Sequence, residues 1–495
     1  MFISIYDIFS LFAEIYALLC ITMLLIYGVL HSTSFYLGYP TLHYNVALLC
    51  FQTSIFSILI LLYSSTFILF SWNQLLIFNS FTSDIKLILL FSFCLWILLS
   101  LPYAINEKLI SFEYWILAFL AVVGMLLIAQ ACDLLSMYLA IEFQSLIFYI
   151  LASFKRTSEF STEAGLKYFI LGVFSSVLLL FGLSILYTLT GLTNFYDYSK
   201  LFTGLLSFSS ALSYAIAFGF TIISISFLFK LSAAPFHIWS PDVYDGAPTI
   251  TTAFFSIMPK ITILSLFLRF CLVYFHDFFY LWQNIFLFCA YISILFGTFG
   301  AFQQKKWKRF IAYSSISHIG FILIGLGTGE LESIFGVLFY VMIYIIFMLG
   351  IFFILISLRH LNFPNHQQIR YLKDLVSLYE TNYMLALSLT LFLFSMAGIP
   401  PLLGFFSKIF ILLPSIQSGM YSLSIFAVLM SCISCFYYIR LIKIMYFDKV
   451  HNLAVVYPIS TYSSLILSLL VFLSTFLFFD LELILLFSAR LALII

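Results

Sequence analysis

Apolar runs long enough to cross a lipid bilayer follow one another along almost the whole of this chain. A membrane-spanning helix needs about 20 mostly apolar residues. The 495 residues contain about fourteen such runs, separated by charges, prolines, glycines or polar clusters. Only 8% of the residues are charged, whereas soluble domains usually have about 25%. The sequence therefore predicts an all-α polytopic membrane protein with about 14 transmembrane helices and no large soluble domain.

The predicted spans can be placed along the chain from this pattern alone. Their centres fall near residues 20, 58, 94, 121, 143, 178, 222, 259, 290, 318, 345, 398, 430 and 470. The net charge of +1 provides no basic surface for a nucleic acid. We therefore expect phospholipids, and no nucleic acid, among the partners of the chain.

The basic residues are divided unequally between the loops that join these spans. Most of the 21 lysines and arginines fall in odd-numbered loops. The even-numbered loops and the termini hold Lys86, Lys200, Arg269 and Arg490. Because basic loops stay on the cytoplasmic or matrix side, both termini are predicted on the opposite side. Three lysines fit no loop and are predicted within spans: Lys230, Lys260 and Lys408.

Ionisable groups at membrane depth are costly and therefore suggest a function. Glu142, in "YLAIEFQSLIFY", is a fourth such group, because the nearest charges along the chain are distant. Glu14 also lies in an apolar run, but near its start, so an interfacial position is expected. A lysine near the end of a span can instead extend its side chain to the headgroups, and this alternative applies most to Lys230.

Glutamate and lysine buried together can carry a proton across a membrane. Burial favours the neutral form of both side chains, whereas contact between them favours the charged forms. Making and breaking such a contact can therefore load and unload a proton, and lysine suits this role better than arginine does. His318, in "AYSSISHIG", is a possible further member of this relay, although a buried structural histidine is equally consistent with the pattern. His237 is a weaker candidate that could simply stabilise a helix break.

Two predicted spans carry prolines close to an embedded lysine. Pro235 follows Lys230 by five residues, and Pro401 precedes Lys408 by seven. Proline breaks a helix, and in lipid the freed backbone groups must face protein or water. Two such spans in the two halves of a chain are typical of inverted repeats with sites at mid-membrane.

Sequence signals for electron carriers are absent. "GLGTG" has no preceding strand, as a nucleotide fingerprint requires, and no paired cysteines or haem-binding histidines stand out. Asp242 and Asp245, in "PDVYDGAPT", could bind a metal, but turn and cap roles are favoured. We therefore expect an ion conductor or transporter that binds no metal or redox cofactor itself.

Five blocks of the sequence resemble one known family closely. They are residues 137–182, 227–260, 305–325, 396–408 ("MAGIPPLLGFFSK") and 435–448. In content and order they are similar to the antiporter-like membrane subunits of NADH:ubiquinone oxidoreductase, respiratory complex I, and in particular to the mitochondrial subunit-2 branch. The resemblance covers roughly residues 137–448, and the flanking segments match only as apolar spans.

The resemblance implies a fold and a site. The family has two inverted five-helix repeats with broken helices 7 and 12. This would divide the chain into helices 1–3 (residues 1–110), helices 4–8 (111–275), helices 9–13 (276–448) and helix 14 (449–495). The proton-relay positions of the family fall on Glu142, Lys230, Lys260 and Lys408. His318 falls on a histidine often found along the central water axis.

The resemblance also implies a function and an environment. The chain would translocate protons as a subunit of an enzyme whose NADH, FMN, iron–sulfur clusters and ubiquinone are bound by partner subunits. Subunits 4L and 4 would be its neighbours, in the mitochondrial inner membrane, with both termini on the intermembrane-space side. Two alternatives stay open at this point: a stand-alone multisubunit-type cation/proton antiporter, and a scaffold subunit that pumps nothing.

Overall fold

The computed structural model describes residues 5–31, 42–64, 67–107, 109, 111–204, 211–359, 368–448 and 461–494, which are almost entirely helical. Thirteen helices in these ranges are long and apolar enough to cross a membrane. Two shorter apolar helices, Tyr383–Ala397 and Leu403–Gln417, follow each other in the place of one further span. The prediction of an all-α polytopic membrane protein with about 14 spans is therefore confirmed.

The helices have the following bounds in chain order: α1 (Ile5–Ser10), α2 (Phe12–His31), α3 (His43–Tyr63), α4 (Ser80–Asn106), α5 (Glu113–Gln130), α6 (Leu134–Ala152), α7 (Glu159–Thr190), α8 (Phe195–Gly204), α9 (Ala211–Lys230), α10 (Trp239–Gly246), α11 (Thr249–Arg269), α12 (Phe279–Phe302), α13 (Trp307–Thr328), α14 (Leu331–Ser357), α15 (Leu378–Thr381), α16 (Tyr383–Ala397), α17 (Leu403–Gln417), α18 (Tyr421–Tyr446), α19 (Thr461–Phe479) and α20 (Glu482–Ile494). A π-helical turn, Phe270–Tyr274, continues α11.

The predicted centres agree closely with these helices. Thirteen of them fall inside one helix each, and the centre near residue 398 falls on the interruption between α16 and α17. The pattern did not predict a short antiparallel hairpin of two strands, β1 (Leu69–Ser71) and β2 (Leu76–Phe78), in which Leu69 pairs with Phe78. Its turn contains three residues with positive φ, 72–74, and two three-residue strands are too short for an alternation to be recognised.

The described residues form two compact units. The N-terminal unit contains the described residues of 1–231 and 246–282. Within it α2 packs on α3 and α5, and α11 packs on α4 and α5. Every residue of α11 is buried, including its polar ones. This helix is the core of the unit, and it carries Lys260.

The C-terminal unit contains residues 232–245 and 283–493. Its centre is formed by α13 and α14, most of whose residues are buried. The broken pair α16 and α17 packs against α14, and α17 also packs against α13. This arrangement brings the helix that carries His318 next to the helix that carries Lys408.

Two basic residues predicted in loops lie inside the protein instead. Lys86 is the seventh residue of α4, is fully buried, and forms an ion pair with Glu14 of α2. Arg269 ends α11 and donates to the carbonyl of Ala129 at 2.6 Å. Glu14 is 2% exposed, so its carboxylate lies inside the protein. These predictions failed because the partners that accommodate the charges are distant in sequence.

Candidate functional site

The first predicted lysine lies at a helix break. Lys230 is the last residue of α9, and the backbone leaves the helix at Ser232, whose φ is 60°. Pro235 cannot donate a helical hydrogen bond, and it disfavours a helical conformation for the residue before it. The helix resumes as α10 only at Trp239. The predicted interruption near Lys230 is therefore present, and it leaves this lysine at a helix C-terminus.

Glu142 lies in α6 of the same unit as Lys230. Its side chain is half-buried, and Ser145 Oγ lies 3.4 Å from Oε2. Its other oxygen, Oε1, is buried and accepts no hydrogen bond from the described residues. Glu142 acts electrostatically on Lys230, although no ion pair or hydrogen bond joins the two within the described part of the chain. The structure thus brings this pair into electrostatic range but not into contact.

Lys260 lies near the middle of the 21-residue helix α11 and is only 5% exposed. Pro259 precedes it and contributes no N–H group to the helix. The helix that carries it packs on α4 and α5. The lysine predicted at the centre of a span is therefore buried within protein and not directed to lipid or to a loop.

Lys408 lies beside the second break, in the second turn of α17. Its Nζ donates to the carbonyl oxygen of Ala397 at 2.6 Å. Ala397 is the last residue of α16, so its carbonyl is one of the groups that a helix end leaves without a helical donor. A cation at this place also meets the negative end of the helix dipole. The break thus creates the acceptor that holds the isolated lysine.

An aromatic ring and a glycine complete the surroundings of Lys408. Its Nζ lies 5.4 Å from the ring centroid of Phe321, a distance at which cation–π attraction operates. Gly398 has a φ of 82°, and a Cβ there would lie 2.9 Å from Lys408 Cδ. The left-handed backbone favours glycine at this position, and a Cβ there would displace the side chain of Lys408.

His318 shares a small cavity with Lys408. This cavity of about 10 Å³ is lined by His318, Tyr340, Tyr344, Ser395, Ser407 and Lys408, together with apolar residues. Its size is close to what one water molecule needs. His318 and Lys408, which are 90 positions apart in the sequence, are the predicted site residues that the structure brings together most directly.

The histidine is held by two tyrosines that the sequence analysis did not single out. His318 Nδ1 lies 2.5 Å from the hydroxyl of Tyr340, and Nε2 lies 3.5 Å from the hydroxyl of Tyr438. Tyr340 and Tyr344 are four residues apart and therefore share one face of α14. The four-residue spacing of Tyr340 and Tyr344 within a strongly apolar span is the sequence signal that could have identified tyrosines near this site. The signal is weak because tyrosine is frequent throughout the chain.

His237 lies apart from this cluster. Its ring centroid is 5.6 Å from that of Phe296 and 6.5 Å from that of Tyr313. Within the described residues, these ring contacts do not include another predicted site residue. Its place just after the break at Pro235 agrees with a structural role at least as well as with a role in a relay.

Asp242 and Asp245 both form ion pairs with basic residues near the start of α13. Asp245 lies 2.7 Å from Lys306 Nζ and 3.1 Å from Arg309 Nε. Asp242 lies 2.9 Å from the Arg309 guanidinium. The two carboxylates therefore belong to an ion-pair network that connects α10 to the start of α13.

Comparison with known proteins gives the same assignment as the motifs. A family model described as "NADH:quinone oxidoreductase/Mrp antiporter, TM" matches residues 131–434. NADH-ubiquinone oxidoreductase chain 2 of Marchantia polymorpha is 44% identical over 476 residues, which is 96% of this chain and 96% of that protein. This similarity therefore also covers the N-terminal spans, where individual motifs were not recognisable.

Solved structures share the fold at low sequence identity. A chain of respiratory complex I from Thermus thermophilus matches with a TM-score of 0.77 and 22% identity, over 96% of this chain and 98% of that one. A chain of the Mrp complex from Dietzia sp. DQ12-45-1b matches with a TM-score of 0.80 and 16% identity, over 99% and 97%. The chain belongs to the NADH:quinone oxidoreductase/Mrp antiporter family of membrane subunits, within its NADH-ubiquinone oxidoreductase chain 2 branch.

Proposed function

We propose that this chain translocates protons in respiratory complex I through Glu142, Lys230, Lys260 and Lys408, with His318 as a further member of the relay. The observation that carries the proposal is the position of Lys408. This cation is held by a carbonyl at a helix break and faces a cavity of water size that also contains His318. Such a group can exchange a proton with water without leaving the protein.

Each side chain has a separate role in this mechanism. Glu142 and Lys230 form a switchable pair in one half-channel, since the carboxylate acts on the lysine without contacting it. Lys260 passes the proton on from the core of its unit, and Lys408 controls release on the other side. Quinone reduction in neighbouring subunits drives the cycle electrostatically. His237, at the first break, is at most an auxiliary member.

Replacing the lysines at the breaks by methionine tests this mechanism. Methionine has a similar length but carries no proton. For Lys408→Met and Lys230→Met we therefore expect translocation through this chain to fall roughly 100-fold or more, the usual contribution of a positioned proton-transfer group. The measurement is the number of protons translocated per NADH oxidised, in sealed membrane vesicles that contain the assembled complex.

Lys200→Met is the matched control, since Lys200 is 78% exposed and should be neutral. An unchanged proton-to-electron ratio in both break variants would show that protons do not pass through these lysines, and would favour the scaffold alternative. Co-migration of the chain with NADH dehydrogenase activity on a native gel separates the complex I assignment from a stand-alone antiporter. The likeness to the Mrp chain, at 16% identity, supports only the shared fold.

The proposal includes a setting for the chain. Its neighbours are subunits 4L and 4 of the complex. NADH, FMN, iron–sulfur clusters and ubiquinone are bound by partner subunits. The membrane is the mitochondrial inner membrane, with both termini on the intermembrane-space side. Among the described residues no group of three or more metal-ligating side chains occurs.

We also propose the division of the chain into helices 1–3 (residues 1–110), two inverted repeats (111–275 and 276–448) and a final helix (449–495). The interruptions beside Lys230 and Lys408 support it, since each would be the broken helix of one repeat.

A further inference from the structure

We propose that Glu14 and Lys86 form a further proton-exchanging pair of this chain, which alternates between an ion pair and a neutral acid–amine pair and is electrostatically coupled to Lys260. This inference rests on the proposed proton-translocating function. The residue types are those of the Glu142–Lys230 pair, but the positions lie in the N-terminal helices, outside the relay described above.

The Glu14–Lys86 pair is buried almost completely. The side chains of Lys86 and Glu14 are 0% and 2% exposed. Beyond the ion contact itself, neither Lys86 Nζ nor either carboxylate oxygen of Glu14 has a hydrogen-bond partner among the described residues. Nζ of Lys86 also lies 5.4 Å from the centroid of the Phe78 ring.

A buried ion pair is favourable only when further hydrogen bonds satisfy its remaining donors and acceptors. Here they are missing, so the charged form has little advantage over the neutral one. In the exchange, an Nζ–H bond of Lys86 breaks and an O–H bond forms on Glu14. The electron pair of the broken bond stays on nitrogen, and the net charge of the pair remains zero. The dipole of the pair, however, largely disappears.

The helix of Lys86 also packs on the helix of Lys260. Trp96 of α4 donates to the carbonyl of Ile250 in α11 at 2.9 Å, and Ser92 donates to the sulfur of Met258 at 3.1 Å. The lower-numbered contact residue of α4 thus meets the higher-numbered contact residue of α11, so the two helices run antiparallel. Lys260 is therefore level with a residue of α4 about four positions from Lys86.

Four helical residues correspond to about 6 Å along the axis, and packed helices lie about 8–10 Å apart. The backbone positions of Lys86 and Lys260 are therefore separated by roughly 10 Å, and buried charges at such a distance are screened much less by salt than exposed ones. A change in the dipole of the Glu14–Lys86 pair alters the electrostatic potential at Lys260. The state of the pair then biases whether Lys260 holds its proton.

Lys86→Arg is the decisive variant. Arginine maintains an ion pair with Glu14 but does not release its proton in a protein. If proton exchange matters, the Lys86→Arg complex assembles and oxidises NADH, while its proton-to-electron ratio falls at least twofold. If the pair only holds α2 against α4, the ratio is unchanged and the proposal is overturned. If Lys86→Arg does not accumulate, the double variant Glu14→Gln/Lys86→Met is measured instead, because it removes both charges. A fall of its proton-to-electron ratio supports the proposal, and an unchanged ratio overturns it.

An infrared measurement gives a second readout. The NADH-induced difference spectrum of the complex should contain a carboxylic-acid C=O band that Glu14→Gln abolishes. Retention of this band in Glu14→Gln would overturn the proposal. Failure of Lys86→Arg, Glu14→Gln and the double variant to assemble would also overturn it, because the pair would then be structural.

The control variant is Asp197→Asn/Lys200→Met, which changes an ion pair whose side chains are 44% and 78% exposed. If Lys408→Met lowers the ratio and Lys86→Arg does not, only this inference fails. If neither does, the proposed function fails.

Discussion

Individual residues near the second break show how closely the backbone is packed there. Gly404 lies in the first turn of α17, directly against the end of α16. A Cβ atom at this position would lie 1.7 Å from the carbonyl oxygen of Ser395. Backbone cannot move aside as a flexible side chain can. The second glycine of "MAGIPPLLGFFSK" is therefore required by the approach of α17 to α16.

We expect Gly404→Ala to displace α17 from α16 and to destabilise this part of the protein by about 1–3 kcal/mol, the usual cost of overpacking. The displacement also separates Lys408 from the carbonyl of Ala397, so proton translocation should fall with stability. The measurements are the temperature at which the purified complex dissociates on a native gel and its proton-to-electron ratio.

Gly327→Ala is the matched control for this prediction, because the nearest atom to a Cβ there is the side-chain atom Cδ2 of Leu287, at 2.8 Å, and no backbone atom is that close. That side chain can rotate away at low cost. Equal stability of the two variants would mean that the contact between Gly404 and Ser395 does not set the position of α17.

At the scale of elements, an ion-pair network connects the segment after the first break to the helix of His318. Asp242 and Asp245 lie on α10, and Lys306 and Arg309 lie at the start of α13. These side chains are 18–39% exposed, so each pair alone contributes little. Together, however, they determine where α13 begins relative to α10.

We expect Asp245→Asn to lower the stability of the complex by roughly 1 kcal/mol, because it leaves two cations opposite one carboxylate. The loss should shrink at high salt, since screening weakens partly exposed pairs. Thermal dissociation at low and high ionic strength measures this effect, with Asp197→Asn as the exposed control. A loss that does not depend on salt would indicate that Asp245 acts through packing or hydrogen bonding.

For the molecule as a whole, the distribution of basic residues predicts the orientation in the membrane. Asp277 and Gln304 flank α12, which has the length of a single span. For cysteines introduced at these positions, we expect an impermeant thiol reagent to label them from opposite sides. Gln304→Cys should react from the matrix side, because the end of this loop and the first turn of α13 carry four basic residues: Lys305, Lys306, Lys308 and Arg309.

The reverse labelling would show that the loop charges do not determine the orientation of this chain. Labelling of both cysteines from one side would show that α12 does not cross the membrane. Native cysteines must first be tested for reaction, since Cys432 is exposed in the structure. A chain with unreactive native cysteines provides the background for both variants.

Much of the fold could be predicted from the sequence because its signals are local. A bilayer requires long apolar helices that satisfy their own backbone, so span positions follow from apolar runs. Isolated charges and prolines are visible for the same reason, and they indicated Glu142, Lys230, Lys260 and Lys408 as candidates. What any one of these residues contacts is not a local property. The tyrosines around His318, for example, come from α14 and α18, which are distant in the sequence.

The class of the protein, the approximate number of its spans and the charged groups that interrupt them therefore follow from the order of residues alone. How those charges are accommodated depends on the way the helices pack. Lys408 is held by the end of α16, which the proline break exposes, and His318 is placed beside it by helix packing. Lys86 and Glu14, 72 positions apart, were assigned to a loop and to the interface because each was judged alone. A charge can be buried only where a partner meets it, and the partner is chosen by the packing of helices.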